Sequence, residues 1–217
     1  MDDGRRQWGH GFGSSTVAFD EWHLVDSDLR AYLDLTTRWM NERFNLTWDE
    51  VGRQPAHDQS PEQIDVFHDA VGGLLPEDFD WMLQASVIRD GVSAYEVYLE
   101  KAGEEVAHGA WRVQPGKSPG WPDMVSFYDS RFGVNLASDR IMHIRELRHS
   151  LTHLRGELRT SAQREAFGRA TDHGFVGTRA ELGVDLVTDI LNDLATSVRE
   201  IDGLAWNARY ANRRPTG

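Results

Sequence analysis

Three histidines and two arginines fall within eleven residues of the chain, in a pattern suited to phosphate chemistry: His143, Arg145, Arg148, His149 and His153. Each residue of an α-helix turns by about 100°, so Arg145, His149 and His153 form one stripe with Arg148 on its flank. Imidazole exchanges protons near neutral pH because its ordinary pKa is about 6.5, and guanidinium binds phosphate oxygens in pairs. The pattern predicts a phosphate-binding face that also carries groups for acid–base catalysis.

Cleavage of RNA without a metal needs three groups of these types. A base takes the proton of the ribose 2′-hydroxyl, an acid protonates the leaving 5′-oxygen, and a fixed positive charge stabilises the phosphorane between them. Arg148 and His153 supply one set of such groups, with His149 as a supporting side chain. A symmetric dimer that brings two such helices together would supply the second imidazole.

The elements that must position this face are predicted to be helices. Apolar residues at alternating spacings of 4 and 3 run from Trp81 to Val106, which favours one long helix over a hairpin turning at Asp90 and Gly91. A second apolar seam predicts the helix that carries the arginines and histidines, with its end near Gly156. The members of that seam are Ile144, Leu147, Leu151, Leu154 and Leu158.

Four further helices are predicted from apolar spacing and start signals. They cover about residues 26–45, a segment that begins at Ser60 and Pro61, about residues 123–131, and a final helix that begins at the capping box Thr178–Glu181. Because every element is helical and the connections are short, the sequence predicts an all-α helical bundle.

Composition and charge limit the classes of function. The chain has 217 residues and no cysteine, which excludes a disulfide scaffold, thiol catalysis and cysteine-ligated zinc. Residues 1–80 hold 17 acidic residues against 6 arginines, whereas residues 131–169 hold 8 arginines against 4 acidic residues. A basic segment on an acidic body can hold one polyanion without coating nucleic acid. No apolar stretch suits a membrane span or a signal peptide, so we expect a cytoplasmic protein with no membrane partner.

The segment around Arg148 and His153 resembles a known family. An arginine, four intervening residues and a histidine, with the polar His149 directly after the arginine, is similar to the Arg-x4-6-His signature of HEPN-domain ribonucleases. The resemblance covers roughly residues 78–202. It implies a metal-independent endoribonuclease without a cofactor, whose composite site at a homodimer interface uses Arg148 and His153 as the catalytic pair and His149 as support. It also implies 2′,3′-cyclic phosphate ends and a role as a toxin or defence effector, with an antitoxin protein as a partner.

The resemblance leads to a division of the chain into four parts. We expect a flexible N-terminal segment at 1–20, an acidic helical accessory extension at 21–75, a HEPN-like bundle at 76–205 and a flexible tail at 206–217. Arg145 and Arg155, on either side of the catalytic pair, are predicted to contact RNA.

Two other interpretations use the same sequence. His149 and His153 have the i,i+4 spacing at which two imidazoles bind one metal, and His143 or His173 would add a third ligand, as in DinB-like helical bundles. Alternatively the bundle catalyses nothing and is an interaction module or an antitoxin, since its acidic N-terminal region can mask a basic partner.

Overall fold

The computed structural model describes residues 15–53, 61–73, 75–107, 118–171, 175–176 and 179–211. In these ranges the chain forms seven helices and one short antiparallel ribbon. The helices are α1 Val17–Gly52, α2 Pro61–Ala70, α3 Pro76–Ala107, α4 Trp121–Phe132, α5 Asp139–His153, α6 Ser161–Thr171 and α7 Val184–Ala211; the ribbon pairs β1 Phe175–Val176 with β2 Arg179–Ala180. The all-α bundle class that the sequence predicts is confirmed.

Several helices extend beyond the bounds predicted from the sequence. Helix α3 is continuous through Gly91, as the long apolar repeat predicts. Helix α1 begins at Val17, so it includes the last residues of the segment that was expected to be a flexible lead-in. Helix α7 continues to Ala211, past the expected boundary at residue 205. The predicted division into four parts stays a prediction.

The predicted start of the final helix is wrong. Arg179 and Ala180 lie in β2, and α7 begins four residues later at Val184; Thr178 lies outside the described residues. Two hydrogen bonds hold this extended segment: the Trp81 indole N–H donates to the Ala180 carbonyl at 2.9 Å, and the Ala180 N–H donates to the Gly156 carbonyl at 2.8 Å. These tertiary contacts replace the helical turn that local capping favours.

The chain divides into two compact units. The first draws on residues 1–26, 91–145 and 191–217, and the second on residues 27–90 and 146–190. Each unit has its own buried apolar side chains. In the second unit, for example, Phe44, Val51 and Phe67 form one cluster, against which Met40 and Phe79 pack.

Three buried tyrosines connect helices of the first unit. The Tyr128 hydroxyl donates to the Leu99 carbonyl at 2.7 Å, the Tyr98 hydroxyl donates to the Val198 carbonyl at 3.3 Å, and the Tyr95 hydroxyl lies 2.9 Å from Ser197 Oγ. Burial raises the pKa of Tyr95 to about 12 and that of Tyr98 and Tyr128 further. The three hydroxyls therefore stay protonated, and those of Tyr98 and Tyr128 act as neutral donors inside the core.

Carboxylates from two other helices satisfy the N-terminus of α1. Both the backbone N–H and the hydroxyl of Thr16 donate to Asp202 Oδ1, at 3.2 and 2.5 Å, and Thr16 Oγ1 accepts the Phe19 N–H at 3.1 Å. Glu105 Oε1 accepts the Ala18 N–H at 2.7 Å. The otherwise orphaned donors of the first turn are thus paired, in the polarity that the helix dipole favours.

Replacing Asp202 with asparagine tests how much its buried charge lowers the free energy of unfolding. Burial raises the pKa of this carboxyl, and the hydrogen bonds from Thr16 only partly oppose that rise. The folded state therefore binds the proton more tightly than the unfolded state, so this group destabilises the fold as the pH rises through its folded pKa. Because asparagine keeps an oxygen acceptor, we expect Asp202→Asn to be at least as stable as wild type at neutral pH. The difference should shrink toward about pH 4, where an unfolded aspartate titrates.

The measurement is urea unfolding of both proteins at several pH values. Asp202→Ala is the control, because it leaves both Thr16 donors without an acceptor and should be about 2 kcal/mol less stable than Asp202→Asn at every pH. An Asp202→Asn protein that is as unstable as the alanine variant at neutral pH would contradict a cost of the buried charge.

Candidate Arg and His site at the end of helix α5

Helix α5 buries the apolar seam that the sequence predicts and leaves the charged residues outside it. The backbone N–H of Met142 donates to the Ser138 carbonyl at 3.0 Å at the helix start. The buried residues of the helix are Ile141, Ile144, Leu147, Ser150 and Leu151. Arg148 is half-buried, whereas His149 and His153 are exposed.

The two exposed imidazoles lie side by side. The ring centroids of His149 and His153 are 4.7 Å apart, and the ring planes are inclined by 49°. Both rings belong to the last turns of α5, where the partial negative charge of the helix dipole favours cationic side chains. The pair therefore lies at a surface that solvent and a large ligand can reach.

The side chain of Arg148, the residue before His149, carries a buried donor. Its Nε is buried and has no hydrogen-bond partner in the described part of the chain. A buried donor without a partner costs about 1–3 kcal/mol, so this side chain is not held in place by a pairing that stabilises the fold. Ser150 Oγ, two residues further on, is also buried and has no partner among the residues that the structure describes; the sequence analysis gives this residue no role.

The helix ends in two consecutive residues with left-handed backbone. Arg155 has a φ of 51° and Gly156 a φ of 76°. The Gly156 N–H donates to the Ser150 carbonyl at 3.0 Å, which closes the last turn. Arg155, an expected RNA contact, is exposed on this turn. Left-handed backbone at a non-glycine residue is strained, and such residues concentrate at functional sites.

Arg145, the other expected RNA contact, has partners of its own in the first unit. Its Nε donates to Glu96 Oε1 at 2.9 Å, and its guanidinium carbon lies 3.6 Å from the centre of the Trp121 ring. The half-buried guanidinium of Arg145 thus engages both Glu96 and Trp121. This arginine therefore has a structural explanation that the local sequence did not indicate, because Glu96 is 49 residues away.

The metal-binding interpretation finds no ligand set in the described residues. Among them, no three histidine, aspartate or glutamate side chains come close enough together to hold one ion. His149 and His153 provide two imidazoles, and His143, on the same helix, does not complete a set of three with them. His173, the remaining proposed ligand, lies outside the described residues.

Sequence reasoning also missed a cleft at the start of α3. Its cavity of about 510 Å³ is lined by carboxylates from two distant segments of the chain, 77–80 and 181, together with Trp81. The cluster of acidic residues at 77–80 was visible in the sequence, but the approach of residues 179–182 depends on β2, where a helix had been expected.

Comparison of the chain with protein-family models, curated proteins and solved structures gave no match. Within the described residues, no helix combines the length and the apolar character needed to cross a membrane.

Proposed function

We propose that the protein is a metal-independent endoribonuclease that cuts RNA in the cytoplasm, as a toxin or defence effector, and leaves 2′,3′-cyclic phosphate ends. The observation that carries this proposal is the exposed imidazole pair of His149 and His153, directly after Arg148 in the chain, whose Nε has no partner among the described residues. The resemblance of this segment to HEPN-domain ribonucleases supports the choice of RNA as the substrate.

Each side chain has a stated role in this reaction. His153 takes the proton of the 2′-hydroxyl, the 2′-oxygen attacks phosphorus, and the bond from phosphorus to the 5′-oxygen breaks as that oxygen accepts a proton. Arg148 binds the nonbridging oxygens and stabilises the charge that develops on them. His149 lies against His153 and orients its ring.

The geometry of the imidazole pair favours a second copy of the chain as the source of the acid. The attacking and leaving oxygens lie on opposite sides of phosphorus. Rings with centroids 4.7 Å apart leave no room for a phosphate group between them, so His149 and His153 face the same side of it. In a symmetric dimer through α5, the second protomer contributes its own His153 to the opposite side.

Replacing His153 with alanine is the direct test. We expect the cleavage rate to fall by about 10²–10⁴, the usual contribution of a positioned acid or base. The measurement is cleavage of total cellular RNA in excess EDTA, with 2′,3′-cyclic ends identified on the products. His143→Ala is the matched control, because it removes an imidazole from the same helix but not from the pair. The variant must remain folded and must keep the oligomeric state of wild type.

Three outcomes would overturn the mechanism. One is an unchanged rate in His153→Ala, and another is a rate that needs added divalent ions. The third is a rate that does not vary with pH, since transfer between a base and an acid gives a bell-shaped profile.

A specific observation favours the interaction module as the second candidate. On α1, within the second unit, Tyr32, Leu35, Trp39 and Leu46 are exposed at spacings of 3, 4 and 7 residues, which places them on one face. Trp39 and Leu35 are 64% and 62% exposed. Residues 27–52 of α1 hold five acidic residues against three arginines, so this face suits a basic amphipathic helix of an antitoxin or another partner. Wild-type protein that is inert on RNA with and without divalent ions would favour this function.

A further inference from the structure

The cleft at the start of α3 is the strongest feature of the molecule that the proposed ribonuclease does not use. Its cavity of about 510 Å³ lies within the size range of small-molecule sites. All of its lining residues belong to the second compact unit. Four carboxylates line it: Glu77, Asp78, Asp80 and Glu181.

Arg179 shows that this cleft can bind a cationic group. The guanidinium carbon of Arg179 lies 3.7 Å from the centre of the Trp81 ring, and its Nη1 donates to Asp78 Oδ1 at 3.2 Å. A cation over an indole and against a carboxylate is a favourable arrangement. Asp78 is neutralised in this way. Within the described part of the chain, the other three carboxylates of the cleft form no ion pair.

A buried amide lies among these carboxylates. Gln84 lines the cavity although only 7% of the residue is exposed. No described residue forms a hydrogen bond with its side chain. An amide so deeply buried usually has a partner, and here its accessible atoms face the cavity. Its oxygen is an acceptor for an N–H donor of a ligand.

Clustering of acidic side chains in this cleft costs folding free energy, and the dipole of α3 explains the presence of only some of them. Burial, together with the neighbouring Glu77, raises the pKa of Asp80. The dipole of α3 favours acidic residues in its first turn, which accounts for Glu77 and Asp78. It does not account for Glu181, which belongs to the segment before α7, or for Gln84, which lies two turns into α3.

The spacing of the carboxylates discriminates between kinds of cation. No three acidic side chains of the described residues converge closely enough to hold a single metal ion. Carboxylates spread along the wall of a cleft instead suit a ligand that carries several positive charges along a flexible chain.

We propose that this cleft binds a linear polyamine. Ammonium groups of the ligand pair with Glu77, Asp80 and Glu181, and one of them donates to the Gln84 amide oxygen. The site is independent of the Arg148 and His153 site and does not rest on ribonuclease activity.

The test is calorimetric titration of the full chain with spermidine at low ionic strength. We expect saturable binding of one spermidine per chain, and weaker binding of the shorter dication putrescine. The double variant Glu77→Gln and Glu181→Gln should weaken spermidine binding roughly tenfold, since partly exposed ion pairs contribute modestly to binding. The matched control is Glu42→Gln with Glu50→Gln, which removes the same charge from exposed positions of α1 and should leave the affinity unchanged.

A second variant and a second measurement keep the test decisive if the double variant does not fold. Gln84→Leu keeps the size of the side chain and the net charge but removes the amide, and it should also weaken binding. In wild-type protein, spermidine should shift the NMR signals of the Trp81 indole N–H and the Gln84 side-chain amide.

Three results would overturn the proposal. The first is an equal loss of affinity in the α1 control, which would mean nonspecific attraction to an acidic protein. The second is spermidine binding that leaves the Trp81 and Gln84 signals unshifted. The third is a cleft that binds a lysine-rich peptide but not spermidine, which would make it a protein-docking surface.

Discussion

Gly156→Ala should lower the free energy of unfolding by about 3 kcal/mol, of which about 1–2 kcal/mol comes from the left-handed backbone and the rest from overpacking. Gly156 has a φ of 76°, which an alanine adopts only with strain. A Cβ at this position would also lie 2.4 Å from Cζ2 of the Trp81 indole. The indole has little freedom to move, because its N–H is bonded to the Ala180 carbonyl.

Gly133→Ala separates the two contributions. Gly133 also has a left-handed backbone, with a φ of 67°, but a Cβ there would meet no atom within 4 Å. It should cost only about 1–2 kcal/mol. The measurement is chemical unfolding of both variants alongside wild type. In thermal unfolding, a loss of 3 kcal/mol corresponds to a decrease in Tm of roughly 6–12 °C for a chain of this size. Equal losses in the two variants would contradict the close approach of Trp81 to Gly156.

Six of the seven helices in the described residues were predictable because their apolar residues repeat at the helical period, whereas α6 was not predicted. The repeat from Trp81 to Val106 lies within α3, and the seam from Ile144 to Leu151 is buried on α5. A regular apolar period indicates which face of a helix is buried, and it can be read from neighbouring residues alone. Proline at the first position of α2 likewise agrees with the start predicted at Pro61.

The start of the last helix was not predictable from local signals. A capping box at Thr178–Glu181 favours a helix there, but Trp81 and Gly156 hold Ala180 in an extended backbone. Trp81 and Gly156 lie 99 and 24 residues from Ala180, so no local sequence pattern indicates these contacts. The cleft at the start of α3 was missed for the same reason, because the position of Glu181 depends on this extended segment.

The candidate site was predictable in part. The i,i+4 spacing of His149 and His153 indicated that the two rings share a face, and their exposure follows from the position of the leucine seam. The sequence did not distinguish Arg145 from Arg148. Burial of the first against Glu96 and Trp121, and the unpaired Nε of the second, depend on packing between helices.

Arg148→Met should reduce RNA cleavage by about 10²–10³, the usual cost of removing one group that stabilises the transition state. The same substitution should leave the protein as stable as wild type or slightly more stable. Methionine keeps an unbranched apolar stem and removes a buried Nε–H that has no partner in the described residues. An arginine that served only the fold would behave in the opposite way, since stability and activity would fall together.

Two further variants make this separation quantitative. Arg148→Lys keeps the charge but loses the planar fork, so its cleavage rate should lie between those of wild type and Arg148→Met. Arg159→Met removes an exposed arginine that pairs with Glu157 at 2.9 Å, and it should change neither cleavage nor stability by a measurable amount. Wild-type cleavage rates in Arg148→Met would show that another cation binds the phosphate. Loss of stability in Arg148→Met but not in Arg159→Met would mean that Arg148 holds the fold, because a group reserved for a ligand contributes nothing to the free protein.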